Sequence, residues 1–119
     1  MSYSQATSAT YRFPAAATTS AAVVGRIAGP KGKTGRLVGA AYVITTATTV
    51  TAPTVKIGSG SDDDAYGTLA VAIAADNAIG NTVTAGVTPV IPADDVVNVA
   101  IGTTSTAGAA DLLVFIDWA

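Results

Sequence analysis

Cysteine and histidine are both missing from this chain. Without cysteine there is no disulfide framework, and thiol usage gives no information about the redox compartment. Without either residue, Cys/His zinc ligation, Ser–His and Cys–His nucleophilic machinery and imidazole acid–base chemistry are all excluded. Charge is scarce as well: 12% of the residues are charged, about half the share usual in a globular domain. A formal net charge of −2 offers no basic face to a nucleic acid. Aromatic residues make up only 6% of the chain, so the apolar content must come from smaller side chains. No apolar run reaches the roughly 18 residues of a membrane span. Residues 1–10, MSYSQATSAT, lack the basic and apolar regions of a secretory signal. The expectation is a soluble chain with no cofactor and with neither nucleic acid nor membrane as partner.

What is present is half hydrophobic by count, mainly Ala and Val, with Thr leading among the polar residues. Val and Thr are β-branched and suit a pleated surface better than a helix interior. Runs of Leu, Glu, Lys and Gln, the usual helix material, do not occur. The length of 119 residues fits one domain, able to bury roughly two thirds of its unfolded surface. A weakly charged, apolar β-surface invites edge pairing and association. Such a surface is tolerable when copies of the chain or a partner cover it.

Residues 1–19, MSYSQATSATYRFPAAATT, show no periodicity, and Pro14 interrupts any helix. They read as an N-terminal arm, either frayed or extended and ordered on a neighbouring subunit. In the second case Tyr3, Tyr11, Arg12 and Phe13 are the candidate partner-interface residues, because aromatics and Arg dominate interface energetics. Deleting residues 2–18 is then expected to weaken attachment and spare the fold. The domain proper is expected at 20–119. Residues 21–27 read as a strand. Residues 36–45, RLVGAAYVIT, form a longer one that lacks a polar face, which requires a second sheet or a partner on each side. Val55 and Ile57 mark a half-buried strand. Leu69, Val71 and Ile73 share one face of another, although the Ala-rich stretch to residue 78 leaves a short helix open. Short strands are expected at 82–84, 87–91 and 96–101. Residues 111–118, DLLVFIDW, alternate most cleanly, with Leu112, Val114, Ile116 and Trp118 facing the core and Leu113 and Phe115 facing away.

Two segments suggest chemistry and then withdraw it. In residues 29–35, GPKGKTG, the pair Lys33–Thr34 follows Gly32, but a phosphate loop needs Gly five positions before its Gly-Lys pair and a helix after it. Glycines stand at 25 and 29 instead, and β-like sequence follows. Asp62, Asp63 and Asp64 invite a calcium reading, since hard cations take several oxygen ligands. The EF-hand spacing and its closing Glu are absent, and consecutive residues of an extended segment point to opposite faces. A solvated loop whose Asp side chains cap backbone groups is the better account.

About eight short strands, with turns roughly every ten residues, indicate a β-sandwich or jelly-roll of antiparallel strands carrying an extended N-terminal arm. Against that background, the chain from about Val24 to Trp118 resembles small bacteriophage capsid decoration (cement) proteins. The resemblance lies in residues 25–38 (GRIAGPKGKTGRLV), the Thr-rich stretch leading into 55–58 (VKIG), the 62–67 loop (DDDAYG) and the closing 115–118 (FIDW). It implies a structural virion protein on the outer surface of a capsid. There it would bind the major capsid protein, reinforce contacts between capsomers and act as a homo-oligomer, with a trimer favoured. The family has no catalytic residues, and no enzyme activity is expected. A tail, baseplate or head-fibre component is the alternative within the virion. A carbohydrate-binding or adhesin module is the alternative of another class, weakened by the few aromatics available for a sugar platform. Paired carboxylates could serve a glycosidase, but here they lie in Gly-rich turns.

Overall fold

The computed structural model describes residues 7–88 and 90–119. Among these the chain forms nine strands and no helix: β1 (Thr7–Ala17), β2 (Val23–Ala28), β3 (Gly35–Thr46), β4 (Thr54–Gly58), β5 (Gly67–Ala70), β6 (Ile79–Gly80), β7 (Val83–Ala85), β8 (Val96–Ile101) and β9 (Ala109–Trp118). They build two antiparallel sheets, one ordered β1-β9-β3-β6 and the other β2-β8-β4-β5-β7. The expected all-β sandwich is therefore the observed fold. Turns rich in Gly, Thr and Ser carry the chain from one sheet to the other, which is why so many small residues sit between the β-branched runs.

The core lies between the sheets. β9 supplies Leu112, Val114, Ile116 and Trp118, all buried, and β8 and β4 answer with Val97, Val99, Ile101, Val55 and Ile57. This is the alternation read from residues 111–118, and it is legible because β9 is central and paired on both sides. β3 is less regular. Its register on β9 shifts between Leu37 and Gly39, leaving Val38 60% exposed. A bulge of one residue reverses which side chains face inward. Leu37 packs on the core before it, and Ala40, Tyr42 and Ile44 are buried after it. No single face of period two spans this strand.

Two expectations for the middle of the chain are corrected. β5 ends at Ala70, and the chain then crosses to the other sheet, so Val71 is buried with Leu69 but Ile73 is 53% exposed. Residues 71–78 form neither helix nor strand. They are held by the Thr48 hydroxyl, which donates to the Ala72 carbonyl at 2.7 Å and accepts from the Ala74 N–H at 2.9 Å. Of the expected strand at 87–91, the described residues contribute an isolated bridge between Ile91 and Gly35 and no strand.

The N-terminal segment also differs from a detached arm. It is extended over residues 7–17, but as the edge strand of the chain's own sheet, in register with β9 from Thr7 opposite Trp118 to Phe13 opposite Leu112. The reason is the indole of Trp118. It lies against Gly29 and Gly35, where an added Cβ would come within 2.5 and 2.6 Å of the ring. Its Nε1 donates to the Tyr11 hydroxyl at 2.9 Å. The glycine-rich 29–35 loop and the Tyr of β1 together make the slot, satisfying the one polar atom of a buried indole.

Replacing Trp118 with Ala is expected to cost about 3–5 kcal/mol of stability. Gly35→Ala is expected to cost about 1–3 kcal/mol by crowding the ring. Urea denaturation of both variants and the double variant checks this, because the Gly35 penalty should shrink once the indole is gone.

Candidate interaction surface

Of the four residues proposed from sequence as a partner interface, Tyr3 lies outside the described residues. The other three sit on β1, whose side chains alternate between two faces. Tyr11 and Phe13 turn inward, both half-buried and packed on the core. Phe13 covers Gly25 of β2, leaving no room there for a Cβ, and so joins the two sheets at this side of the sandwich. Both aromatics are committed to the fold. A deletion of residues 2–18 would therefore remove a strand and the partner of Trp118 along with any attachment surface. Arg12 turns outward and is exposed.

Arg12 belongs to a surface the sequence reading only partly anticipated, the outer face of the β1-β9-β3-β6 sheet. Across it, Thr10 and Gly39 flank Phe115, while Arg12 and Ala41 flank Leu113. Val43 sits beside Asp111, and Ile79 on β6 is 76% exposed. Leu113, Phe115, Ala41 and Val43 are only half-buried. No element of the described chain forms a further layer over this face, since each strand belongs to one of the two sheets. A shallow groove lined by Ala41, Val43, Ile79 and Asn81 runs along its β6 margin. The result is an apolar band bordered by charges at both ends of β9.

Those charges are organised locally. Arg12 Nη2 donates to Asp111 Oδ2 at 2.9 Å, and the Ala15 N–H donates to Asp111 Oδ1 at 2.7 Å. Ala15 has φ of 50° in the bulge that follows Pro14, so the carboxylate fastens an otherwise strained kink. The Ala15 amide, and then Arg12, hold the Asp111 carboxyl below its usual pKa. At the other end the Ser8 hydroxyl donates to Asp117 Oδ1 at 2.7 Å.

The Asp62–Asp64 loop lies on the opposite sheet, between β4 and β5. All three side chains are exposed, yet their carboxylate oxygens gather within 4.8 Å of one another. Alternation in a strand would have separated them; the segment is a turn, which brings them together. Asp62 works within the loop: its N–H donates to the Ser59 hydroxyl at 3.1 Å, and its carbonyl accepts from the Ser59 N–H at 2.8 Å. Lys56 pairs with Asp63 at 3.3 Å. A hydrogen bond to Asp62, then burial, then the charges of Asp62 and Asp63 push the Asp64 carboxyl above its usual pKa. Nearby, the Tyr66 hydroxyl donates to Asp95 Oδ2 at 3.2 Å, an interaction between distant segments that the sequence alone did not signal.

Comparison with known proteins adds little. No family model matches the chain, and no curated protein does. A chain of the cyanophage Pam1 capsid asymmetric unit superposes with a TM-score of 0.47 and 16% identity, covering 96% of this chain and 82% of that one. A superposition this loose carries no argument about function.

The lowered pKa of Asp111 fixes the sign of one pH effect. A carboxyl depressed by folding contributes stability above its unfolded pKa and loses that contribution as pH falls through the folded value. Asp111→Asn is therefore expected to lower the melting temperature at neutral pH. It should also flatten the decline on acidification below the ordinary 3.8. Thermal melts across an acid series check both effects.

Proposed function

We propose that the protein is a structural component of a phage virion that acts through surface contact and catalyses no reaction. In the finer form of this reading it binds the outer surface of the capsid, with the major capsid protein as partner. There it reinforces contacts between capsomers and works as a homo-oligomer. The observation that carries the reading is the outer face of the four-stranded sheet, where Phe115, Leu113, Ala41 and Val43 form an apolar band with no further layer of the described chain over it. Contiguous exposed apolar surface on a small domain marks an interaction site more often than chance exposure. Sparse charge across the whole chain points the same way, and the motif resemblance to capsid decoration proteins supplies the phage context.

The mechanism in this reading is mechanical. Many copies each contribute modest contacts, and a copy that bridges neighbouring capsid subunits gains from the second attachment being effectively intramolecular. The sandwich suits this role because its outer face is displayed by β9 and β3, the two longest-paired strands of the sheet. Rigid strands present a fixed pattern of side chains at little entropic cost on binding.

Quantitative mass spectrometry of the purified source particle tests the reading. The expected result is a copy number comparable to that of the major capsid protein. A few copies per particle would move the chain to the tail, baseplate or a head fibre, and absence from the particle would end the virion reading. In the same assay Phe115→Asp, on the outer face, should release the protein from particles while its thermal melt stays close to that of the parent chain.

A further inference from the structure

β1 is 11 residues long and, among the described residues, pairs with β9 on one side only. Its other side turns alternate N–H and C=O groups outward, where water or another strand must satisfy them. Proteins usually blunt such an edge with Pro, a bulge, charge or very short length. Here the blunting devices gather at one end: Pro14, the left-handed Ala15 and the register shift between Phe13 and Ala16. The stretch from Thr7 to Phe13 has no Pro, no Gly and a single charge, Arg12. By contrast β6 and β7 are edges of two and three residues, and β2 carries its own register shift.

We propose that this open edge binds a second copy of the chain, β1 against β1, antiparallel across a two-fold axis at Thr10. Residues paired in a ladder share a face, so an inward residue must meet an inward one. The permitted registers therefore centre on a residue, and Thr10 is the midpoint of Thr7–Phe13, the centre that pairs the whole open stretch. Thr10 then faces Thr10 of the second copy, a favourable cross-strand pair. Ala9 meets Tyr11, and Ser8 meets Arg12.

Charge selects a second copy as the occupant. Ser8 is the register partner of Asp117 and donates to its carboxylate at 2.7 Å. Asp117 has no ion pair among the described residues. Arg12 of the second copy arrives opposite Ser8, on the same face as Asp117, and the two-fold repeats the contact. The only charge on the pairing stretch thus approaches the carboxylate of Asp117 from the side of Ser8, while the like-charged Arg36 lies beyond it, opposite Asp117 on β3. The contact closes on two copies and joins their four-stranded sheets into one. A three-fold assembly would use other surfaces, and the inference stands whether or not the chain binds a capsid.

The chain contains no cysteine, so single-cysteine variants report this geometry directly. Paired residues of an antiparallel ladder have Cα atoms about 4.5–5.5 Å apart, within disulfide range. Under mild oxidation, purified Thr10→Cys should form a covalent dimer on a non-reducing gel, and Thr103→Cys should not. By light scattering the parent chain should be dimeric, and Arg12→Glu should weaken association roughly tenfold. Adding Asp117→Lys to Arg12→Glu should restore it, a rescue that loss of the internal Arg12–Asp111 pair cannot explain. A monomeric parent chain, cross-linking of Thr10→Cys no faster than of Thr103→Cys, or no rescue by the double variant would each overturn the proposal.

Discussion

The Trp118 indole organises this sandwich. It closes the C-terminal strand, lies against Gly29 of the loop entering β3 and Gly35 at the start of that strand, and hands its one polar hydrogen to Tyr11 of β1. Three segments far apart in sequence therefore meet on one side chain. In a chain with 6% aromatic residues, its single Trp is the largest fully buried side chain and contributes more buried area than the aliphatic residues around it. The glycines are part of the same device. A planar ring can approach backbone closely only where no Cβ intervenes, and this accounts for the glycines at both ends of the 29–35 segment.

The placement of β1 follows from that contact. The strand has a weak apolar pattern of its own: Ala9, Tyr11 and Phe13 face inward, with small polar residues between them. It gains its position from β9, which offers a paired edge, the Trp118 hydrogen bond and the Asp111 carboxylate that fastens the Ala15 kink. Phe13 on Gly25 then ties the edge of one sheet to the edge of the other. The inward aromatics that make β1 part of the domain are thereby withdrawn from its surface. Arg12, Thr10 and Ser8 are left to face outward.

Apolar residues sit on both sides of β9 and β3, and they divide into two uses. The inner set makes the core. The outer set, Leu113, Phe115, Ala41 and Val43, is half-buried by neighbours within the sheet and covered by no third layer of the described chain. With so few charged residues, the rest of the described surface is largely Thr, Ser, Ala and Gly. The chain's surface chemistry and its proposed role in assembly thus rest on one compositional fact, the shortage of Lys, Glu, Asp and Arg.

How much of this was legible in the sequence depended on how local the cause was. β-branched composition, frequent turn residues and the absence of helix material determined an all-β chain. The clean period of 111–118 identified its core side chains, because a central strand between two partners must alternate. The missing cysteine and histidine excluded whole classes of chemistry with no reference to the fold. Other features needed contacts between remote residues. A bulge at Val38 reverses the faces of β3, and its position is set by pairing with β9 rather than by β3 itself. The turn at 62–64 gathers carboxylates that a strand would have separated. Whether residues 7–17 hung free or joined the sheet was decided only when Trp118 and Asp111 came within hydrogen-bonding reach. No property of those residues alone encodes a partner about a hundred positions away.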